Sequence, residues 1–422
     1  MKKFILTISL LIIVITYILS YNLNNKKFNN SICKMNKPNN YMIKFNPVIN
    51  NFNPIKNEIN PIRNEINLIK NEVNPITHNF SLKNELEFNL KNKIKTLINI
   101  SFNLIDNYDL FNKNIKYRIS FGSCNYQLND QSFWEKIIHF NPNLWIFLGD
   151  NIYADKYIDK IDNLHKTLDK PSIDNMIKQY EILVSNISFR KFMFDQNIKK
   201  IGIWDDHDYL KNNADVLENQ NYKIMSKKLF TTFLNIPENN QMMNREGIYT
   251  YYDLVDGTTH IIRFFLLDVR TFRTDVDILG TDQWRWLENN LKKSTALVNI
   301  LCSGSNILTK ISDFSSWYKN GWAYNRLIKL LELYNIKNII ILSGDLHQGR
   351  LISKNNMIEI VSSTLSSQIE MYDSETEFNI GNVIKVHNFG FIDINYEYNK
   401  YYLIGGLIDF KGNLHNLIKI NI

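Results

Sequence analysis

The chain has 422 residues, 44% of them hydrophobic, and a formal net charge of +7. That charge is local: residues 1–114 carry 15 Lys and Arg against 7 Asp and Glu, leaving 34 and 35 of the chain's 49 and 42 for the rest. A nearly neutral main part excludes the broad basic field that nucleic-acid binding needs. Three cysteines (Cys33, Cys124, Cys302) are too few for a disulfide framework, although a single bridge stays open.

Met1-Lys2-Lys3 precedes an apolar run from Phe4 to Ser20. A positive flank before such a run is the pattern of a secretory signal. Residues 1–22 are therefore expected to be a signal peptide, or an uncleaved anchor attaching the protein to a membrane, since no small-x-small cleavage site follows. The run is at the short limit for a bilayer span. Either form places the protein in the secretory pathway, secreted or otherwise outside the cytosol.

Residues 23–114 read as an Asn-rich, disordered low-complexity linker. Within it, residues 53–80 form a heptapeptide repeat: NPIKNEI from Asn53, NPIRNEI from Asn60, NLIKNEV from Asn67 and NPITHNF from Asn74. Its isoleucines follow the 3-then-4 spacing of a coiled-coil seam. Pro54, Pro61 and Pro75 oppose that reading, because each costs roughly 3 kcal/mol in a helix interior.

From residue 115 onward, short apolar runs each end in a polar cluster. Ile115–Phe121 leads into Gly122-Ser123-Cys124-Asn125, Leu144–Leu148 into Gly149-Asp150-Asn151-Ile152-Tyr153, and Ile201–Trp204 into Asp205-Asp206-His207-Asp208. Ile261–Leu267 leads into Asp268-Val269-Arg270, Ile339–Leu342 into Ser343-Gly344-Asp345-Leu346-His347, and Ile358–Val361 into Ser362-Ser363. Such runs are buried strands. Ile173–Phe194, Tyr222–Leu234, Asp282–Leu291 (after a Thr281 N-cap) and Trp322–Tyr334 have helical spacing. Strands alternating with helices make residues 115–422 an α/β domain. The aromatic alternation after Asn382 predicts closing antiparallel hairpins.

Ligands of open α/β sheets bind beyond the carboxyl ends of strands, and the chemistry-bearing residues gather there. Asp150 could bridge two hard cations or merely cap a turn. Asp205, Asp206 and Asp208 crowd one imidazole, His207, and a buried cluster of that kind needs a cation or a proton; a solvated acidic loop is the other reading. Asp345 and His347 share a face of an extended segment, which suits metal ligation. Cys124 is a core residue, a free thiol or a thiolate ligand. Asp268 and Arg270 share a face, so Arg270 either clamps phosphate through its planar fork or serves in a structural ion pair. Cys302 and the remaining histidines read as structural.

Taken in order, these segments resemble the motif series of the PhoD-like (alkaline phosphatase D) metallophosphatases, a branch of the calcineurin-like metallophosphoesterases. Leu279-Gly280-Thr281-Asp282-Gln283-Trp284-Arg285-Trp286-Leu287 is similar to that family's Gly-x-x-Gln-x-x-Trp-Leu helix, and Ile360-Val361-Ser362-Ser363 to its late Ser-Ser strand. The match runs from about Lys116 to the C-terminus. Departures are Leu210 where glycine is common, Asn212-Asn213 for Asn-Asp, Val269 for threonine, and Gln348 for an aromatic.

The resemblance implies a four-layer αββα sandwich of two mixed β-sheets and a two-metal phosphoesterase site. Cys124, Asp150, Tyr153 and His347 would hold the first ion, ferric iron. Asp150 would bridge to a second, divalent ion such as calcium, held with Asp206 and Asp345. His207 would assist phosphoryl transfer and Arg270 would clamp phosphate. The expected activity is hydrolysis of a small phosphate ester or phosphodiester by metal-activated water, in a monomer. The alternatives are phosphodiesterase or phospholipase D-like action, and a secreted interaction protein with a vestigial site.

Overall fold

The computed structural model describes residues 102–158, 164–168, 171–308, 315–336, 339–371 and 377–422. The expected leader, the heptapeptide repeat and Cys33 lie outside the described residues. Among the described residues, no helix is long and apolar enough to cross a membrane.

Fifteen strands and seven helices follow one another in the described chain. The first sheet has seven strands, in the order β1 (Phe102–Leu104), β15 (Leu414–Asn421), β14 (Lys400–Asp409), β13 (Asn388–Glu397), β2 (Ile115–Gly122), β3 (Leu144–Leu148) and β6 (Lys199–Ile203). Its C-terminal strands pair antiparallel, and β2, β3 and β6 run parallel. The second sheet has six, in the order β11 (Gly349–Lys354), β12 (Met357–Ser362), β10 (Ile339–Ser343), β9 (Val298–Ser303), β8 (Thr259–Leu266) and β7 (Thr250–Asp256). Here β8, β9, β10 and β12 are parallel, flanked by antiparallel β7 and β11. Short β4 (Lys156–Ile158) and β5 (His165–Thr167) pair separately.

The period-2 side-chain alternation of strands explains the layers. In the second sheet, Phe264, Ile300, Cys302, Ile340 and Leu342 join the large core that also contains the first sheet's strands. Their neighbours Phe265, Leu301, Ile339 and Ile341 join a separate core with α6 (Gly280–Lys292) and α7 (Gly321–Leu333), around Trp284, Leu287 and Leu327. Strands buried on both faces read as continuous apolar runs, as these do. On the first sheet, α1 (Phe133–Phe140), α2 (Ile173–Ser185) and α3 (Ile187–Phe194) form the outer layer. Trp134 of α1 packs against Trp145 of β3 and Phe189 and Phe192 of α3 at ring-centroid distances of 4.5–5.4 Å, a geometry worth more than its buried area. The result is the expected αββα arrangement.

Four details differ from the sequence reading. The segment Ile173–Phe194 is two helices, because Asn186 turns extended and its side chain accepts from Phe189 N, starting α3 afresh. Helix α6 opens at Gly280, so Thr281 lies inside it and is not its N-cap. The domain starts before residue 115: β1 pairs with β15, and Tyr108 donates to Asp393 at 2.9 Å. Only three residues long and set among asparagines, β1 left no pattern to read. Finally, β7 and β11 escaped notice: β7 is polar and partly exposed, and β11 carries Arg350, Ser353 and Lys354 among its six residues.

Candidate metal centre

The carboxyl ends of β2, β3 and β6 in one sheet, and of β8, β9, β10 and β12 in the other, deliver their following loops to one place. Four of the predicted ligand residues sit there in left-handed backbone: Cys124 (φ 57°), Asp150 (φ 48°), Asp345 (φ 74°) and His347 (φ 53°). Non-glycine residues pay for that region with local strain, and such strain concentrates at functional sites. Two glycines make the approach possible. Gly149 has φ 96°, and a Cβ on it would lie 2.6 Å from the Cβ of Asp205. A Cβ on Gly304, just beyond β9, would lie 2.7 Å from the Asp205 carboxylate.

The first group of donors joins Cys124, Asp150, Tyr153 and His347. Ligand atoms of Cys124, Asp150 and His347 lie within 4.8 Å of one another. The Cys124 Sγ is 3.6 Å from Asp150 Oδ2, and the Tyr153 hydroxyl is 2.9 Å from His347 Nε2. Burial alone would raise the Cys124 thiol, but the charge of His347 and hydrogen bonds with His347, Ser123 and Ser363 hold it below the ordinary thiol value. Burial, then Cys124 and Asp150, push the Tyr153 phenol well above its usual value. Burial lowers His347, and Cys124 more than reverses that.

The second group is made of carboxylates. Oxygens of Asp150, Asp205, Asp206 and Asp345 lie within 4.8 Å of one another, and Asp150, Asp206 and His207 form a third such grouping. Burial, then Cys124, Asp206, Asp205 and Asp208, drive Asp150 well above the ordinary carboxylate range. Burial also lifts Asp205 to about 6 against the pull of Arg270. It acts on Asp206 too, but there Arg270 and His207 prevail and hold the carboxyl down to about 2.

Arg270 is fully buried beneath this group. It pairs with Asp205, lies 3.6 Å from Asp206 Oδ1, and donates to Ser315 Oγ at 3.0 Å. The fork expected to face a phosphate is thus occupied by carboxylates. The guanidiniums of Arg270 and Arg273 cannot balance four carboxylates, and Asp205 Oδ2 is buried with no hydrogen-bond partner. Crowded, buried, under-neutralised oxygens are what a hard cation requires, so the donor set fits a pair of metal ions.

His207 meets a partner that the sequence reading missed. Its Nδ1 is 2.7 Å from Asp155 Oδ1, and Asp155 Oδ2 accepts from Asn212 N at 3.1 Å. Burial lowers the imidazole, but Asp206 and Asp155 outweigh it and hold His207 above the ordinary value. The ring lies over Tyr153, 4.2 Å between centroids.

The profile of one family, the PhoD-like phosphatases, matches residues 119–388. The chain belongs to the PhoD-like phosphatases. It is therefore a metal-dependent hydrolase of phosphoric ester bonds. No curated protein sequence matches it. The solved structures it is similar to in outline include the following three. PhoD has 18% identity and a TM-score of 0.49, over 71% of each chain. GAP50, the anchor in the inner membrane complex of Plasmodium, has 13% and 0.48, over 73% of this chain and 89% of that one. Purple acid phosphatase PPD1 from yellow lupin (Lupinus luteus) seeds has 14% and 0.49, over 72% and 53%.

All eight residues singled out from the sequence of this PhoD-like chain come together. Two of its acidic residues do not join them as donors. Asp208 accepts from Asn151 N, Ile152 N and Asp205 N, fixing both loops. Asp268 accepts from Trp204 Nε1, Ile248 N, Thr271 and Arg270 N. Besides Asp155, Gly304 and Ser305, which accepts from Arg270 at 3.4 Å, left no signal in the sequence, because the run before them read as core only. The Asp155 signal was slight: a carboxylate two residues beyond Tyr153, in the same loop.

Proposed function

We propose that this chain hydrolyses small phosphate monoesters, and diesters more slowly, at a two-metal site outside the cytosol. The observation that carries the reading is the place of Asp150: its carboxylate belongs to all three groupings of donors, as a bridging ligand must. Cys124, Tyr153 and His347 would hold one ion with it, and thiolate, phenolate and imidazole together suit ferric iron. Asp206, Asp345 and Asp205 would hold the other, and an all-carboxylate set suits calcium or another hard divalent cation. When bound, the ions supply a nucleophile from water at neutral pH and neutralise charge on the phosphate oxygens.

The chain's own residues do the rest. Asp155 fixes the ring of His207 and favours its protonated form, so His207 can give a proton to the departing oxygen. Arg270 holds Asp205 and Asp206 apart from water and keeps a positive charge under the reacting phosphate. Trp204 donates to Asp268 and so ties the loop after β6 to the loop after β8. The basic-then-apolar segment Met1–Ser20 supports a secretory route.

The test couples metal analysis to two substrates. Purified protein should contain iron or another transition metal near stoichiometry, and should turn over an aryl phosphate faster than its bis-aryl diester. Full activity in a metal-free preparation would end the reading, and faster diester turnover would make the enzyme a phosphodiesterase.

A further inference from the structure

We propose that Ser363 is a positioning residue of the metal centre: its hydroxyl donates to the sulfur of Cys124 while its oxygen fixes the backbone of His347. The inference rests on the metal-centre reading above. It follows from counting protons around one atom.

A serine hydroxyl has one proton to give and two lone pairs with which to accept. Ser363 Oγ accepts from His347 N at 2.7 Å and stands 3.4 Å from Cys124 Sγ. Its proton is free to point at the sulfur. Ser123 Oγ lies at the same 3.4 Å, but it donates to Ser362 O at 3.0 Å. Asp150 Oδ2, 3.6 Å away, has no proton to give once Asp150 is ionised as a ligand. The Cys124 backbone N–H is taken by Gly149 O. Once Cys124 is a thiolate, and His347 and Tyr153, which also reaches Cys124, have turned to an ion as ligands, Ser363 is the hydroxyl left to solvate the sulfur.

The second bond acts on the partner ligand. His347 has φ 53°, a left-handed conformation uncommon outside glycine. Ser363, fully buried at the end of β12, holds the N–H of that residue. One side chain therefore sets two donors that are far apart in sequence. Partners that orient and tune ligands in this way are worth about 10–100-fold in metal affinity.

The experiment uses the full chain, stripped with chelator and titrated with Co²⁺, whose thiolate charge-transfer absorption reports on the sulfur. Wild-type protein should develop that absorption and Cys124→Ser should lack it, which assigns it. Ser363→Ala should move it to longer wavelength and weaken Co²⁺ binding by about 10–100-fold, and Ser363→Thr, which keeps the hydroxyl, should restore both. An alanine variant with wild-type absorption and affinity overturns the assignment. If the alanine variant does not fold, the threonine variant decides: wild-type absorption supports the role and a shifted absorption overturns it. A wild-type chain that shows no such absorption overturns the metal-centre reading itself, and this assignment with it.

Discussion

Buried carboxylates occur in two kinds of place in this molecule. Asp268 and Glu359 are fully buried, and each is surrounded by donors. Glu359 accepts from Ile307 N, Leu308 N and Ser343 Oγ, each at 2.7 Å, and so ties the loop after β9 to the end of β10. Oxygens of Asp150, Asp205, Asp206 and Asp345 instead lie within 4.8 Å of one another, four carboxylates against the two guanidiniums of Arg270 and Arg273. Burial is common to both places; what separates them is that the site's carboxylates crowd one another, and one oxygen, Asp205 Oδ2, is buried without a hydrogen-bond partner. The satisfied kind holds the fold; the crowded kind waits for a cation.

That contrast can be broken most directly at Asp150. Asp150→Ala should remove both ions and several kcal/mol of transition-state stabilisation, a loss of about 10³-fold or more in kcat at about 1.4 kcal/mol per factor of ten. Metal content and steady-state turnover check it, and a variant that keeps its metals refutes the bridge. Next in size is His207→Ala, expected to cost about 10²–10⁴-fold in kcat while metal content stays at the wild-type level.

The satisfied kind should answer in stability instead. Glu359→Ala leaves two backbone N–H groups and a hydroxyl buried without their acceptor, a cost of about 2–4 kcal/mol. Urea unfolding would show it as a lower midpoint at unchanged slope.

Asp150→Asn sharpens the comparison from the other side. In the ion-free chain, Asp150 is held above its unfolded value by burial and by its anionic neighbours. Its folded form then keeps a proton that the unfolded chain has lost, so stability is full below about pH 4 and falls as pH rises through the folded value. The asparagine variant escapes that loss. In chelator at pH 7 it should melt higher than wild type, and added metal should reverse the order.

The smallest effect belongs to Asp409, which closes the turn before β15. Burial would raise it, but bonds from Asn413, His415 and Lys411 hold it down to about 2. It should contribute about 1–2 kcal/mol above pH 4 that disappears as pH falls from about 4 to about 2. Acid unfolding of Asp409→Asn should lack that step.

The strands that carry the site were legible because both of their faces are buried. Ile339–Leu342 and Leu144–Leu148 have no polar position to confuse with a helix, and glycine or aspartate ends each abruptly. The eight candidate residues stood at such ends and could be named without knowing how the chain closed on itself. What stayed hidden was pairing across space. Asp155 reads as one more acidic residue until a fold places it 2.7 Å from His207. The occupied fork of Arg270 was equally unreadable, since an arginine two residues after an aspartate says nothing of Asp205. Strand β1 went unseen because it gains its order from β15, more than three hundred residues away.

That outermost strand bears on how the protein could be matured. Phe102–Leu104 is hydrogen-bonded along Ile418–Ile420 and covers a border of the seven-stranded sheet. A processing protease that cut downstream of Leu104 would strip the cover and leave a row of unpaired amides and carbonyls open to other chains. Trimming that stops upstream of Phe102 keeps that cover, and a product shortened past Leu104 should self-associate.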